Sequence, residues 1–140
     1  MKILLMTDGS SYTKRMLAYL AAHDEWLGDR HDYTVLHVVP FVPARASAML
    51  PRSVVQNYYR DEADKVLNPV RSFFARQGLN ASFVAKSGNV AQVASKMADE
   101  HGFDLIMMGS HGHGNLGNLI MGSVATRVLA HTKLPVLLVR

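Results

Sequence analysis

The sequence of 140 residues has no cysteine and no long hydrophobic run. Without cysteine the chain cannot form disulfides, attack a substrate with a thiolate or bind a metal through cysteine sulfur. The apolar run nearest the N-terminus extends only from Ile3 to Met6, which is shorter than a signal peptide or a bilayer-spanning helix requires. We therefore expect a cytoplasmic protein with no membrane segment.

Charged residues are few and unevenly placed. Lys and Arg number 15 against 11 Asp and Glu, which gives a formal net charge of +4. The basic residues are scattered singly, without the run or stripe that typically binds nucleic acid, so we expect no nucleic-acid partner. No acidic residue follows Asp104, and the last third of the chain is therefore locally positive, which favours a phosphate-bearing ligand.

Hydrophobic patterning predicts one α/β domain over residues 1–140. The predicted strands are residues 3–6, 33–39, 81–86, 104–108 and 135–139, and the predicted helices are 11–26, 52–77, 90–101 and 123–131. Pro69 predicts a kink or break in the second helix, and the stretch from Pro40 to Pro51 predicts a long loop. Alternation of strands and helices indicates a single doubly wound five-stranded parallel sheet with helices on both faces.

Ligands of such sheets bind beyond the carboxyl ends of the strands. Asp8, Pro40 and Gly88 follow the first three predicted strands. Five of the ten glycines follow the fourth, between Gly109 and Gly122. Glycine permits positive φ and close approach of a ligand to the backbone, so we expect the binding site at this edge of the sheet.

Two familiar motifs fit these glycines poorly. Residues 112–117 spell the dinucleotide fingerprint, but that motif belongs after the first strand and needs an acidic residue about 20 positions downstream. Residues 117–122 spell the start of a P-loop, yet Ser123 and Val124 stand where the motif requires lysine and a hydroxyl residue.

A third spacing makes better physical sense. Gly109 and Gly112 expose backbone amides, and after nine intervening residues Gly122 and Ser123 open a helix whose N-terminus is an anion site. The alternative is that Ser123 only caps the helix and the glycines only make turns. The loop by itself leaves the two interpretations equally open.

Four segments together resemble the universal stress protein family: "TDGS" after the first strand, "LHVV" in the second, Gly88 after the third, and "DLIMMGSHGHGNLGNLIMGSVATRVLAHTKLPVLLVR" at the end. The spacing G-x-x-G, nine residues, G-S is that family's mark for members that bind ATP. The resemblance implies an adenine-nucleotide α-hydrolase-like sheet of order 3-2-1-4-5 and a homodimer paired through the last strand, Pro135 to Val139. Asn89 and Leu134 depart from many relatives, which have proline and cysteine there.

The resemblance also implies a role for each matching residue. Asp8, with Thr7 beside it, would lie near the ribose and near Mg²⁺ or Mn²⁺ carried by the nucleotide. The backbone of Val38 would contact the adenine. The remaining sugar and phosphate contacts would come from Met108, Gly109, Gly112, Gly122, Ser123 and Val124.

Three histidines need separate interpretation. His111 and His113 lack an obvious third metal ligand, so imidazoles beside phosphates explain them better, with solvent-exposed loop histidines as the alternative. His37 lies in the middle of a strand and is interpreted as a satisfied core histidine.

Asp8 is the only acid that the predicted strand order places at the site, and no nucleophile with a base accompanies it. The leading hypothesis is therefore an ATP-binding stress or regulatory module with an unknown protein partner. A slow ATP-hydrolysing or phosphotransfer enzyme and an apo dimerisation module are the alternatives. ADP or AMP in place of ATP also stays open.

Overall fold

The structure, a computed structural model, describes residues 1–114 and 118–140. Its strands are β1 (Lys2–Met6), β2 (Asp32–Val39), β3 (Ala81–Ser87), β4 (Leu105–Gly109) and β5 (Val136–Val139). Its helices are α1 (Ser11–Ala22), α2 (Asp24–Leu27), α3 (Ala44–Ala48), α4 (Arg52–Gln77), α5 (Val90–Glu100) and α6 (Ser123–His131). None of the helices in these ranges is long and apolar enough to cross a membrane.

The five strands form one parallel sheet in the order β3-β2-β1-β4-β5, which confirms the predicted fold. β1 is central, and its side chains alternate between two cores. Ile3 and Leu5 pack with α1 and α4 on one face, whereas Leu4 and Met6 pack with α5 and α6 on the other. Burial on both faces explains why the strands are almost continuously apolar.

Two of the predicted boundaries were wrong. The helix predicted over 11–26 ends at Ala22, because the His23 backbone leaves the helical region at φ −127° and ψ 48° before α2 begins. The His23 ring lies 2.8 Å from the Tyr19 carbonyl and helps to end α1. The predicted loop between Pro40 and Pro51 contains the short helix α3, which starts directly after Pro43.

Of the kink or break predicted at Pro69, the break does not occur, because the 26-residue helix α4 runs through Pro69 without interruption. Buried side chains on both sides of Pro69 hold the helix against the sheet; they are Ala63, Leu67, Val70 and Phe74. Proline has no N–H, so the carbonyl four residues earlier, that of Lys65, has no helical donor.

Candidate functional site

A cavity of about 640 Å³ opens at the carboxyl ends of β1, β2 and β4. All eleven residues that the sequence nominated for binding line it: Thr7, Asp8, Val38, Met108, Gly109, His111, Gly112, His113, Gly122, Ser123 and Val124. They come from three strand ends, the loop that follows β4 and the start of α6, which lie together because the strands are parallel.

In the turn between β1 and α1, hydrogen bonds hold one carboxylate oxygen of Asp8, and the other oxygen faces the glycine loop. Asp8 Oδ1 accepts hydrogen bonds from the Ser10 amide and the Thr13 hydroxyl, both at 2.9 Å. The cap of α1 itself is Ser10, whose Oγ accepts from the Tyr12 amide. A Cβ added at Gly112 would lie 2.8 Å from Asp8 Oδ2, so the second oxygen faces the loop backbone directly.

The main chain of Val38 points into the space beyond the end of β1. The Leu36 carbonyl accepts from the Thr7 amide, which marks the last bond between the two strands. In a parallel strand, the N–H and C=O of a residue point to the same side, and those of the residue two positions later point to that side again. The backbone groups of Val38 therefore point to the same side as those of Leu36, but at a level where β1 has already ended. These backbone groups are therefore available to hydrogen-bond a ligand in the cavity.

His37 lies at the same place, buried at 8% exposure. Its Nδ1 lies 2.7 Å from the Thr7 carbonyl, which can only accept, so Nδ1 carries the proton. The expected hydrogen bond of a core histidine is present, but the residue also lines the cavity.

Gly109 and Gly122 serve close approach rather than positive φ. A Cβ at Gly109 would lie 2.6 Å from Tyr12 Cβ, and one at Gly122 would lie 3.1 Å from His111 Cα and from the Ser110 oxygen. Gly122 has an ordinary extended backbone at φ −73° and ψ 163°, and its amide donates to the Ser110 carbonyl at 2.7 Å. The dinucleotide and P-loop interpretations both include Gly117, which lies outside the described residues.

The N-terminus of α6 opens into the cavity. Gly122 is the cap residue and supplies no side-chain cap bond, so the interpretation of Ser123 as the helix cap was wrong. The Thr126 amide makes the first bond of the helix, to the Gly122 carbonyl at 3.0 Å. The amides of Ser123, Val124 and Ala125 precede it, and these three residues line the cavity. An array of free amides at the positive end of a helix is suited to an anion.

The two loop histidines brace the loop. His111 Nδ1 lies 2.8 Å from Ser110 Oγ, and its Nε2 donates to the Leu119 carbonyl at 2.8 Å. His113 Nε2 donates to the Asp8 carbonyl at 2.6 Å and ties the loop to the β1–α1 turn. Within residues 1–114 and 118–140, no group of three His, Asp or Glu side chains is arranged to hold a metal ion.

The sequence analysis missed the wall of the cavity that α4 provides. Tyr58, Glu62, Lys65 and Val66 line it. Glu62 overturns the expectation that Asp8 is the only acid at the site. The positions i, i+4, i+7 and i+8 form one helical stripe, which is visible in the sequence. Sequence spacing does not say, however, which part of a 26-residue helix reaches the carboxyl edge of the sheet.

Comparison with known proteins gives consistent matches over the whole chain. The model of the universal stress protein family matches residues 1–140. A universal stress protein of Thermus aquaticus is 30% identical over 99% of this chain and 97% of that protein. The solved structure of a universal stress protein of Methanocaldococcus jannaschii covers 99% of this chain and 94% of its own, with 26% identity and a TM-score of 0.79. A universal stress protein of Archaeoglobus fulgidus solved with dAMP has a similar fold, with a TM-score of 0.69 and 20% identity over 100% of this chain and 98% of that chain.

Proposed function

Because the chain belongs to the universal stress protein family, we propose that it is an ATP-binding regulatory module whose nucleotide occupies the cavity described above. The observation that carries the proposal is the convergence of three elements on one cavity. The free amides at the start of α6, the outward main chain of Val38 and one oxygen of Asp8 all face it. The dAMP bound by the Archaeoglobus fulgidus protein of the same fold supports an adenine nucleotide as the ligand class.

In this proposal each part of the nucleotide meets a group suited to it. The adenine edge bonds to the backbone of Val38, with the buried side chain of Met108 against the base and sugar. The phosphate chain lies over Gly112 and the start of α6, where the glycine leaves room and the amides donate. ADP and AMP would use the same contacts with fewer phosphate bonds.

A divalent cation fits as part of the nucleotide rather than as a resident ion. Asp8 offers one carboxylate oxygen toward the loop, since Oδ1 is already bonded to Ser10 and Thr13. Hard cations such as Mg²⁺ and Mn²⁺ bind carboxylate and phosphate oxygens together, so Asp8 would complete the shell of an ion that the phosphates bring. The ion would screen the phosphates from the carboxylate.

The same proposal includes a cytoplasmic homodimer that passes the nucleotide state to a protein partner. The support for pairing is β5, which bonds to β4 on one side and has no strand of the described residues on the other. Such an edge is an aggregation hazard unless it is covered, and pairing with the same strand of a second copy covers it.

Mass spectrometry of the small molecules released from freshly purified, denatured protein tests the ligand class. We expect ATP, ADP or AMP, and we expect much less of it from Gly122→Val prepared in parallel. Release of a guanine, nicotinamide or flavin nucleotide instead would contradict the proposal. The multiple-turnover rate of phosphate release with Mg²⁺ then shows whether the bound ATP is hydrolysed.

A further inference from the structure

One face of α4 forms a wall of the cavity and carries both signs of charge. Glu62 and Lys65 lie on this face. The next residue, Val66, packs on the β1–α1 turn, since a Cβ added at Gly9 would lie 3.2 Å from Val66 Cγ2. This contact brings the Lys65 turn of α4 beside the turn that carries Asp8.

Few of the described residues that line the cavity carry a positive charge. Among the lining residues that the structure describes, Lys65 is the one lysine or arginine, against two carboxylates, Asp8 and Glu62. The Nε2 donors of His111 and His113 are already bonded to carbonyl groups. The helix amides contribute only partial charge, about half an elementary charge at a helix N-terminus. Among the described lining residues, Lys65 is therefore the side chain that can bring a full positive charge to a phosphate chain, beside any metal ion that the nucleotide carries.

Lys65 is free to change partner. Its Nζ donates to Glu62 Oε1 at 2.6 Å, but its side chain is 69% exposed and that of Glu62 is 35% exposed. Exposed pairs of this kind contribute little to stability, and the lysine stem has several rotatable bonds. The hydrogen bond and the charge of Glu62 raise the pKa of Lys65, so the ammonium group is fully charged at neutral pH.

We propose that Lys65 is a specificity-determining residue: its ammonium group breaks its bond to Glu62 and binds the phosphate chain of the nucleotide instead. The inference rests on the proposed function and extends it to selection among nucleotides. Lys65 favours the ligand with more phosphate charge, whereas Glu62 competes for Lys65 and repels the phosphates. The Glu62–Lys65 pair thereby sets how strongly the site prefers ATP to AMP.

Calorimetric titration of Lys65→Gln, Lys65→Arg and Glu62→Gln with ATP, AMP and adenosine tests the proposal. The matched control is Lys96→Gln, which breaks another exposed lysine–glutamate pair, Lys96 Nζ to Glu100 Oε1 at 3.8 Å, on a helix face outside the cavity. We expect Lys65→Gln to weaken ATP binding by about five- to tenfold, as loss of a charge-assisted bond would. AMP should lose less and adenosine nothing, Lys65→Arg should restore ATP binding, and Glu62→Gln should tighten it.

Two results separate this inference from the function on which it rests. If wild-type protein binds ATP but Lys65→Gln and Lys96→Gln have equal ATP affinities, the role of Lys65 is overturned and the proposed function stands. Equal losses for ATP and adenosine in Lys65→Gln would also overturn it, because a charge contact spares adenosine. Wild-type protein that binds no adenine nucleotide would overturn both.

Discussion

At the scale of single residues, the backbone around Gly122 leaves no room for a side chain. Gly122→Val places new atoms within about 3.1 Å of His111 Cα and the Ser110 oxygen, although the φ of −73° suits any residue. The loop must therefore move away from the start of α6. We expect ATP affinity to fall by at least about tenfold, with a loss of about 1–3 kcal/mol in the free energy of unfolding. Titration with ATP and denaturant unfolding measure the two effects.

Gly78→Ala is the control for this loss of stability. Gly78 ends α4 in the left-handed region at φ 66°, and a Cβ there meets nothing within 4 Å. Alanine should destabilise the protein by about 1 kcal/mol through backbone strain and leave ATP affinity unchanged. A folded Gly122→Val protein with wild-type ATP affinity would contradict the proposed phosphate site.

Asp8→Asn separates the charge of Asp8 from its hydrogen bonds. An asparagine oxygen can still accept from Ser10 and Thr13, so the turn should survive. Loss of the charge should weaken ATP binding in Mg²⁺ and leave metal-free binding equal or slightly tighter, because the carboxylate repels phosphate without a cation. ATP titrations of both proteins with Mg²⁺ and with a chelator provide the comparison. An identical response to metal in the two proteins would reduce Asp8 to a turn residue.

The sequence predicted much of the site because its residues sit at strand ends, where position follows from strand order. Thr7 follows β1, and Val38 and Met108 lie near the ends of β2 and β4; parallel pairing brings these three strand ends to one edge. Lys65 and Glu62 were missed because they lie inside a long helix. Which turn of that helix reaches the carboxyl edge of the sheet depends on packing of side chains such as Val66 against Gly9. That packing is a tertiary property that no local pattern contains.

At the scale of elements, Tyr33 joins the start of β2 to the end of α2. Its hydroxyl donates to the Leu27 carbonyl and lies 2.9 Å from that of Gly28. Burial, followed by the negative charge of Asp29, raises the pKa of Tyr33 to about 12. The native state therefore keeps a neutral phenol where the unfolded chain begins to ionise, near pH 10.

The sign of the resulting pH dependence follows from linkage. The pKa of Tyr33 is higher in the folded state than in the unfolded state. The stability that this difference contributes is therefore complete below about pH 10, and it is lost as the pH rises toward about 12, where the free energy of unfolding has fallen by about 2–3 kcal/mol. Denaturant unfolding of wild type and Tyr33→Phe at pH 8, 10 and 12 checks it. The variant should be less stable at pH 8, since the Leu27 carbonyl loses its donor, and should show a smaller alkaline decrease. Equal decreases in the two proteins would show that Tyr33 is not the group responsible.

Element types were easier to predict than element ends. All five strands were predicted, since buried parallel strands give apolar runs that contrast with their flanks. The end of α1 depends on the His23 ring and backbone, and the passage of α4 through Pro69 depends on burial of Leu67 and Val70. Tertiary contacts outweighed local propensity at Pro69, whereas a side-chain contact within the helix accompanies the end of α1.

At the scale of the whole molecule, the outer edge of β5 offers a specific test of the proposed dimer. The carbonyls of Pro135 and Val139 accept from amides on the β4 side, so the backbone groups of Val136 and Leu138 point outward. Leu138→Pro should therefore remove an outward donor and shift dimer to monomer while β4 stays paired. Leu138→Ala removes the same side chain, keeps the amide and should remain dimeric. Light scattering after gel filtration gives the masses, and monomeric wild type at micromolar concentration would contradict the dimer.

The central claim is that the cavity at the carboxyl ends of β1, β2 and β4 binds an adenine nucleotide. Equilibrium dialysis of the purified, nucleotide-free protein against labelled ATP, with unlabelled GTP as competitor, tests it most directly. We expect saturable binding of about one ATP per chain, as one nucleotide in this cavity would give, with little displacement by GTP. Absence of saturable ATP binding, or displacement by GTP as effective as by ATP itself, would contradict it.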